Sequence, residues 1–124
     1  MRVIGVIQNP SVFGHWGTIR PNVILTDERV LHILERHRAD YEQYGMYISE
    51  VIATPDIILE DCKHPHTAMF IRHIEETNVN VIVKVAYADS NSDLESSVIT
   101  MYQLNEKKIE KMIKKNVLIY KNET

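Results

Sequence analysis

Residues 67–87 read TAMFIRHIEETNVNVIVKVAY, and this stretch decides the fold. Its second half has an apolar side chain at every second position: Val79, Val81, Val83, Val85 and Tyr87. Such alternation is typical of a strand that buries one face. Residues 67–75 alternate in the same way, and we expect the turn at Thr77–Asn78. The stretch predicts an antiparallel hairpin in which Val81, Val83 and Val85 are buried and Lys84 lies on the other face.

The segments that follow and precede this hairpin extend the predicted sheet. Residues 95–103 alternate again and predict a neighbouring strand, after a polar loop at 88–93, with one shared side for Val98, Thr100 and Tyr102. Residues 57–60 predict a short strand that follows Thr54-Pro55, because the residue before a proline avoids helical backbone. Residues 106–115 predict a lysine-rich helix, and 117–120 a last short strand.

The N-terminal half contributes the predicted helices. Residues 2–8 (RVIGVIQ) predict a strand, 9–21 a loop and 23–25 a short extended segment. Thr26 is a suitable N-cap, because its hydroxyl can accept a backbone N–H of the first turn, for a helix that runs to about Arg38. Asp27 and Glu28 follow in the first turn, where acids suit the helix dipole. Residues 41–53 predict a second helical stretch. Helices grouped before a strand meander favour an α+β domain, with N-terminal helices packed on a small antiparallel sheet and a lysine-rich C-terminal helix.

Composition limits the class of protein. The chain has 124 residues, of which 44% are hydrophobic and 25% charged, which is the size and balance of one globular domain. Cys62 is the only cysteine, so neither an internal disulfide nor a cysteine-rich zinc site is expected. A reducing, cytoplasmic location fits this count. The apolar runs are too short for a membrane span or a signal peptide, and the four scattered glycines form no phosphate loop.

Charge is distributed unevenly along the chain. The net charge is -3, yet residues 105–121 carry six lysines against two glutamates. Residues 40–61 carry six acids and no basic side chain. The two segments could face each other or the solvent, and the basic one could also bind phosphate.

The first helix carries two histidines that differ in position. His32 and Arg36 are one turn apart on its polar face, whereas His37 falls on the core side near Val30 and Ile33. One reading is a solvated histidine and a hydrogen-bonded core histidine. The other is an imidazole beside a guanidinium, which suits proton transfer next to a phosphate.

Two further histidine clusters lie in predicted loops. His64-Pro65-His66 is a His-x-His pair of the kind that can bind metal, but no fixed set of carboxylates accompanies it at metal spacing. A surface turn is therefore the favoured reading, and no metal or other cofactor is expected. His15-Trp16 could stack on a nucleobase or simply anchor its loop.

Six short motifs in order resemble one family. They are LTDERVLHILERH (25–37), ISEVIATPDIILED (48–61), TAMFIRHI (67–74), VNVIVKVAY (79–87), SSVITMY (96–102) and KKIEKMIKKNVLIYK (107–121). The chain is similar to the phage barnase–EndoU–colicin–RelE-like nuclease domains of phage, mobile-element and toxin proteins. The resemblance covers residues 22–121 of a single domain, 1–124, in which 1–21 form an N-terminal strand and loop.

The resemblance implies a barnase- or RelE-like α+β fold and a metal-independent endoribonuclease that leaves a 2′,3′-cyclic phosphate. Matched by position, the implied site residues are His32, Arg36, His37, Arg72, Thr100 and Tyr102. Arg72 stands where the family often has a lysine. The implied partners are RNA, such as tRNA or mRNA, and an antitoxin or immunity protein, with no membrane. The alternative is a catalytically inactive module of the same fold that binds nucleic acid or protein.

Overall fold

A computed structural model describes residues 2–87 and 95–123. The regular elements in this part of the chain are β1 (Arg2–Val6), β2 (Asn22–Leu25), α1 (Asp27–Tyr44), α2 (Ile48–Ala53), β3 (Ile57–Glu60), β4 (Thr67–Ile74), β5 (Thr77–Lys84), β6 (Ser96–Leu104), α3 (Glu106–Lys115) and β7 (Val117–Lys121). Short 3₁₀ helices cover Pro10–Trp16, which was predicted as loop, and Gly45–Tyr47. The polar loop predicted at 88–93 lies outside the described residues.

The strands form one seven-stranded sheet in the order β1-β2-β6-β5-β4-β3-β7. All neighbours are antiparallel except β2 and β6, which pair in parallel at Val23↔Ser96 and Ile24↔Ser97. The α+β class is confirmed, but the expected small antiparallel sheet is wrong, since the sheet is larger and mixed. The parallel pair joins segments that are distant in sequence, so local alternation carried no sign of it.

The alternation in β5 separates the two faces of the sheet. Val81, Val83 and Val85 are 0%, 0% and 2% exposed, as predicted, and they pack in the main core with α1 and α2. Lys84 is exposed on the other face. We call these the α1/α2 face and the α3 face, because α3 packs on the second over a smaller apolar cluster that includes Leu59, Met69, Ile71, Leu104 and Ile109.

A β-bulge in β6 corrects one predicted face. Ile82 pairs with Thr100 and Val83 pairs with Val98, so Ile99 is an extra residue between them. Thr100 and Tyr102 therefore share the α3 face, as expected, whereas Val98 packs in the main core on the opposite face. The extra residue breaks the period of two, and strict alternation cannot anticipate this.

α1 begins where the sequence predicts and ends later. The Thr26 hydroxyl accepts a hydrogen bond from the Arg29 N–H at 3.2 Å, which confirms the N-cap. The helix continues past Arg38 to Tyr44, with non-helical backbone at His37 (φ -140°, ψ 46°). The predicted second stretch at 41–53 is thus the end of α1, a 3₁₀ turn and α2.

The β4–β5 hairpin turns earlier than predicted. Ile74 pairs with Thr77, so the turn is Glu75–Glu76, and Thr77–Asn78 already belongs to β5. Glu75 has a positive φ of 56°, a conformation more typical of Gly, Asn or Asp. The glutamates carry no turn signal, which explains the shift.

α3 crosses the sheet from the end of β6 to the start of β7. Asn105 caps it by accepting the Lys108 N–H at 2.9 Å, and Ile109 is 5% exposed beneath it. β7 then pairs with β3 at the edge of the sheet. Among the helices that the structure describes, none is long and apolar enough to cross a membrane.

Candidate active site on the α3 face

An open cavity of about 340 Å³ lies between β6 and α3. Its lining combines an aromatic ring, apolar side chains and three lysines: Tyr102, Leu104, Lys108, Lys111, Met112 and Lys115. The lysines recur at three- and four-residue intervals, which places them on one side of the helix. Several ammonium groups beside an aromatic ring suit a ligand with phosphates and a flat base.

Tyr102, which lines this cavity, is stacked against His37. Their ring centroids are 5.0 Å apart and their planes differ by 29°. His37 is half-buried, and it is the residue of α1 whose backbone is not helical. The stack therefore brings an imidazole from one element against a phenol from another.

The position of α1 explains how His37 reaches the α3 face. β2 pairs with β6 only at Ser96 and Ser97, so α1 lies beside the rest of that strand's edge. Asp40 accepts hydrogen bonds from the backbone N–H of Gln103 at 3.2 Å and from its side-chain amide at 2.7 Å. Asp40 thus fastens the helix to β6 at the residue after Tyr102.

Two polar side chains of the sheet, both on its α3 face, lack hydrogen-bond partners among the described residues. Asn80 pairs with Tyr102 across the ladder and is 0% exposed, and Thr100 follows on the same face. Neither the amide atoms of Asn80 nor the hydroxyl of Thr100 has a hydrogen-bond partner within residues 2–87 and 95–123. Unsatisfied buried polar groups are costly, and they concentrate at functional sites.

The hydroxyl of Tyr102 holds its proton tightly. Burial raises the pKa of Tyr102 above its usual value, the nearby Asn80 amide opposes the rise, and the negative charge of Asp61 adds to it. Tyr102 is therefore a hydrogen-bond donor near neutral pH, and it is poorly suited to act as a base.

The structure brings together only part of the predicted site. His37, Thr100 and Tyr102 lie together on the α3 face or its edge. His32 is half-buried and Arg36 exposed elsewhere on α1, and no hydrogen bond or ion pair joins either to another described residue.

Arg72 lies on the opposite face of the sheet from Thr100 and Tyr102. It pairs with Val79, which belongs to the main core. Its guanidinium donates to the backbone carbonyl of Thr54 at 2.5 Å and to the hydroxyl of Thr54 at 3.1 Å, and it lies 3.6 Å from Glu50. Arg72 thus joins β4 to the end of α2, and the structure does not bring it together with His37, Thr100 and Tyr102.

Sequence reasoning missed Asn80 and Asp40, and it named the basic segment 105–121 as one that could bind phosphate without singling out these three lysines. Asn80 is a polar side chain between Val79 and Val81 of β5, which is a usable signal. The helical spacing of the lysines was also readable. The role of Asp40 depends on the contact between α1 and β6, and no local pattern indicates it.

The His15-Trp16 motif is an anchored loop. The Trp16 indole N–H donates to Glu60 at 2.8 Å, His15 lies 3.2 Å from the same carboxylate, and the Trp16 ring packs 5.2 Å from the ring of Phe13. Phe13 belongs to the main core, so this cluster adjoins the α1/α2 face.

Another cavity is a weaker candidate site. This cavity of about 210 Å³ on the α1/α2 face is floored by residues such as Ile52, Ile58 and Phe70, and no His, Asp, Glu, Lys or Arg is among the described residues that line it. Across residues 2–87 and 95–123, no group of three or more His, Cys, Asp or Glu side chains is arranged to hold a metal ion.

Comparison with protein families identifies the chain as a nuclease-like domain of a phage-related group. It belongs to the family described as phage-Barnase-EndoU-ColicinE5/D-RelE like nuclease3, whose model matches residues 2–111. The family expected from the six motifs is thereby confirmed. The chain matches no curated protein and no solved structure.

Proposed function

We propose that this domain is a metal-independent endoribonuclease whose site lies on the α3 face. The observation that carries the proposal is the His37–Tyr102 stack, which adjoins a lysine-lined cavity and the unpartnered polar atoms of Asn80 and Thr100. Membership of a nuclease-like family supports the reaction class.

Cleavage of RNA to a 2′,3′-cyclic phosphate needs a base, an acid and a cation. His37 serves as the base that takes the 2′-hydroxyl proton, because histidine exchanges protons readily near neutral pH. The Tyr102 hydroxyl donates a hydrogen bond to a phosphate oxygen. Lys111 and Lys115 hold the phosphate charge, and Thr100 offers a further hydroxyl. The base and the phosphate-binding groups are all side chains, so these parts of the mechanism need no metal.

The biological setting that we propose follows the family. The substrate is tRNA or mRNA, the domain acts in the cytoplasm as a toxin or phage-derived effector, and an antitoxin or immunity protein restrains it. The phage-related family description supports this setting.

The test is cleavage of labelled tRNA and mRNA by the pure chain in EDTA, with analysis of the ends for 2′,3′-cyclic phosphate. His37→Ala should lower the rate about 10²–10⁴-fold, the usual loss for an acid–base histidine. His32→Ala on the same helix is the matched control and should change it little. Thermal melts of both variants exclude unfolding. The reverse order of effects would move the site to the outer side of α1.

The alternative function is a binding module without turnover, and the observation that favours it is that Lys108, Lys111 and Lys115 line one cavity. A wild-type chain that cleaves no RNA, yet binds RNA or a protein partner through Lys111 and Lys115, would establish this alternative and overturn the nuclease.

A further inference from the structure

The loop between β3 and β4 holds a histidine in a fixed orientation. The Asp61 carboxylate accepts the Lys63 backbone N–H at 2.8 Å and lies 3.0 Å from Nδ1 of His64. The side chain of Asp61 is 18% exposed, whereas that of His64 is 71% exposed. Nε2 of His64 has no partner among the described residues. Burial alone would raise the pKa of Asp61, but the Lys63 N–H and the His64 ring together lower it.

The same loop contacts the C-terminal end of α3, where Lys115 is the last of the three lysines that line the cavity. The Cys62 thiol donates to the Lys115 carbonyl at 3.0 Å, and the Cys62 N–H donates to the Asn116 side chain at 3.1 Å. From the neighbouring strand, the Lys84 ammonium donates to the Pro65 carbonyl at 2.7 Å. Contacts on both sides therefore fix the loop beside α3 and β5.

The loop shares the α3 face with the candidate site. Lys115, against which the loop is docked, also lines the cavity beside Tyr102. The charge of Asp61 is close enough to raise the pKa of Tyr102, although burial is the larger cause. Tyr102, which stacks on His37, thus lines the cavity on its β6 side, and Lys115, which the Asp61–His64 loop contacts through Cys62, lines it at the C-terminal end of α3.

We propose that His64 is the second proton-transfer residue of the nuclease, acting as general acid, and that Asp61 is its positioning residue. This inference rests on the proposed function. A carboxylate at Nδ1 fixes the tautomer of an imidazole and stabilises its protonated form, which is the form that a general acid needs.

The proposed step balances without a co-reactant. His37 removes the 2′-hydroxyl proton, the 2′-oxygen forms a bond to phosphorus, and the bond from phosphorus to the 5′-oxygen breaks. His64 gives its Nε2 proton to that 5′-oxygen. The products are a 2′,3′-cyclic phosphate and a 5′-hydroxyl. The lysines on α3 hold the phosphate, and Lys63, Lys84 and Lys115 are the cations around the Asp61–His64 loop.

The experiment uses the full chain and compares two substrates that differ in their leaving group. One substrate is RNA, whose 5′-oxygen must be protonated. The other is a mixture of the four nucleoside 3′-(4-nitrophenyl phosphates), whose nitrophenolate leaves without a proton. His64→Ala should lower RNA cleavage about 10²–10⁴-fold and cleavage of the nitrophenyl esters by less than about tenfold. His37→Ala should lower both.

Asp61→Asn tests the positioning role, because the amide keeps an acceptor for Lys63 and removes the charge. It should show the same dependence on the leaving group at a smaller amplitude, which a merely structural loss would not produce. His15→Ala is the matched control, since His15 also lies beside a carboxylate, that of Glu60, and it should behave as the wild type.

The outcomes separate the two proposals. If the wild type cleaves both substrates and His64→Ala cleaves RNA at the wild-type rate, the role of His64 is wrong and the nuclease stands. Equal losses on both substrates would also overturn the general-acid role. A wild type that cleaves neither substrate would overturn the proposed function and this inference together.

Discussion

Asp40 of α1 accepts two hydrogen bonds from Gln103 of β6, one from the backbone N–H and one from the side-chain amide. This contact joins the helix that carries His37 to the strand that carries Tyr102, one residue before Gln103. A single carboxylate thereby accepts a backbone N–H at the edge of β6 and holds α1 against this strand beside the two stacked rings.

Asp40→Ala should lower both stability and activity. Loss of the two hydrogen bonds leaves the Gln103 N–H without its acceptor, which costs about 1–3 kcal/mol of unfolding free energy. Cleavage by the folded variant should fall as well, because His37 loses its fixed position. Urea unfolding and RNA cleavage measure the two effects. Wild-type values in both would show that α1 is held elsewhere.

Tyr102→Phe should change the alkaline stability of the domain. The raised pKa of Tyr102 means that the folded chain holds the phenolic proton more tightly than the unfolded chain. This contribution is complete below the unfolded pKa of about 10 and is lost as the pH rises through the higher folded pKa. The variant should therefore lose less stability than the wild type between about pH 8 and about pH 11. Urea midpoints across this range test it, and parallel curves would contradict it.

Lys111→Gln and Lys115→Gln should weaken RNA binding in a salt-dependent way. Each lysine that contacts a phosphate of single-stranded RNA adds about 0.7 to the slope of log Kd against log salt. Each substitution should reduce the slope by that amount. Lys114→Gln, on the same helix but outside the cavity lining, is the control. The Kd for RNA, measured at several salt concentrations, tests this prediction. Equal slopes for all three variants would show that RNA does not bind on this surface.

Arg72→Met should destabilise the domain without slowing the reaction. The variant loses the hydrogen bonds that tie β4 to Thr54 at the end of α2, at a cost of about 1–2 kcal/mol. RNA cleavage by the folded protein should stay at the wild-type rate, because Arg72 lies on the face opposite Tyr102. A slower rate with unchanged urea unfolding would return Arg72 to the site.

The sequence supported the elements whose signals are local. The valines of β5, the cap at Thr26 and the strand at 57–60 could all be read from period or residue type. The family was readable because six motifs in order are more specific than any one of them.

The relations between elements were not readable in the same way. The separation of Arg72 from Tyr102 follows from the register of β5 and β6, in which Tyr102 pairs with Asn80 and not with a valine, and the residue types do not indicate this register. The parity of Val98 follows from a one-residue bulge. The stack of His37 on Tyr102 follows from how α1 lies against β6. Each depends on contacts between segments far apart in the chain, and single-segment patterns contain no information about them.

β2 and β6 come from distant parts of the chain and meet inside the sheet. The strands from β3 to β6 are successive neighbours, so their contacts close over short loops and are expected to form early in folding. The β2–β6 contact must enclose α1, α2 and three strands, which makes it a late event. Because α1 directly follows β2, His37 arrives at Tyr102 only with this step. A partly folded chain would then present the lysines of α3 before His37 lies against Tyr102.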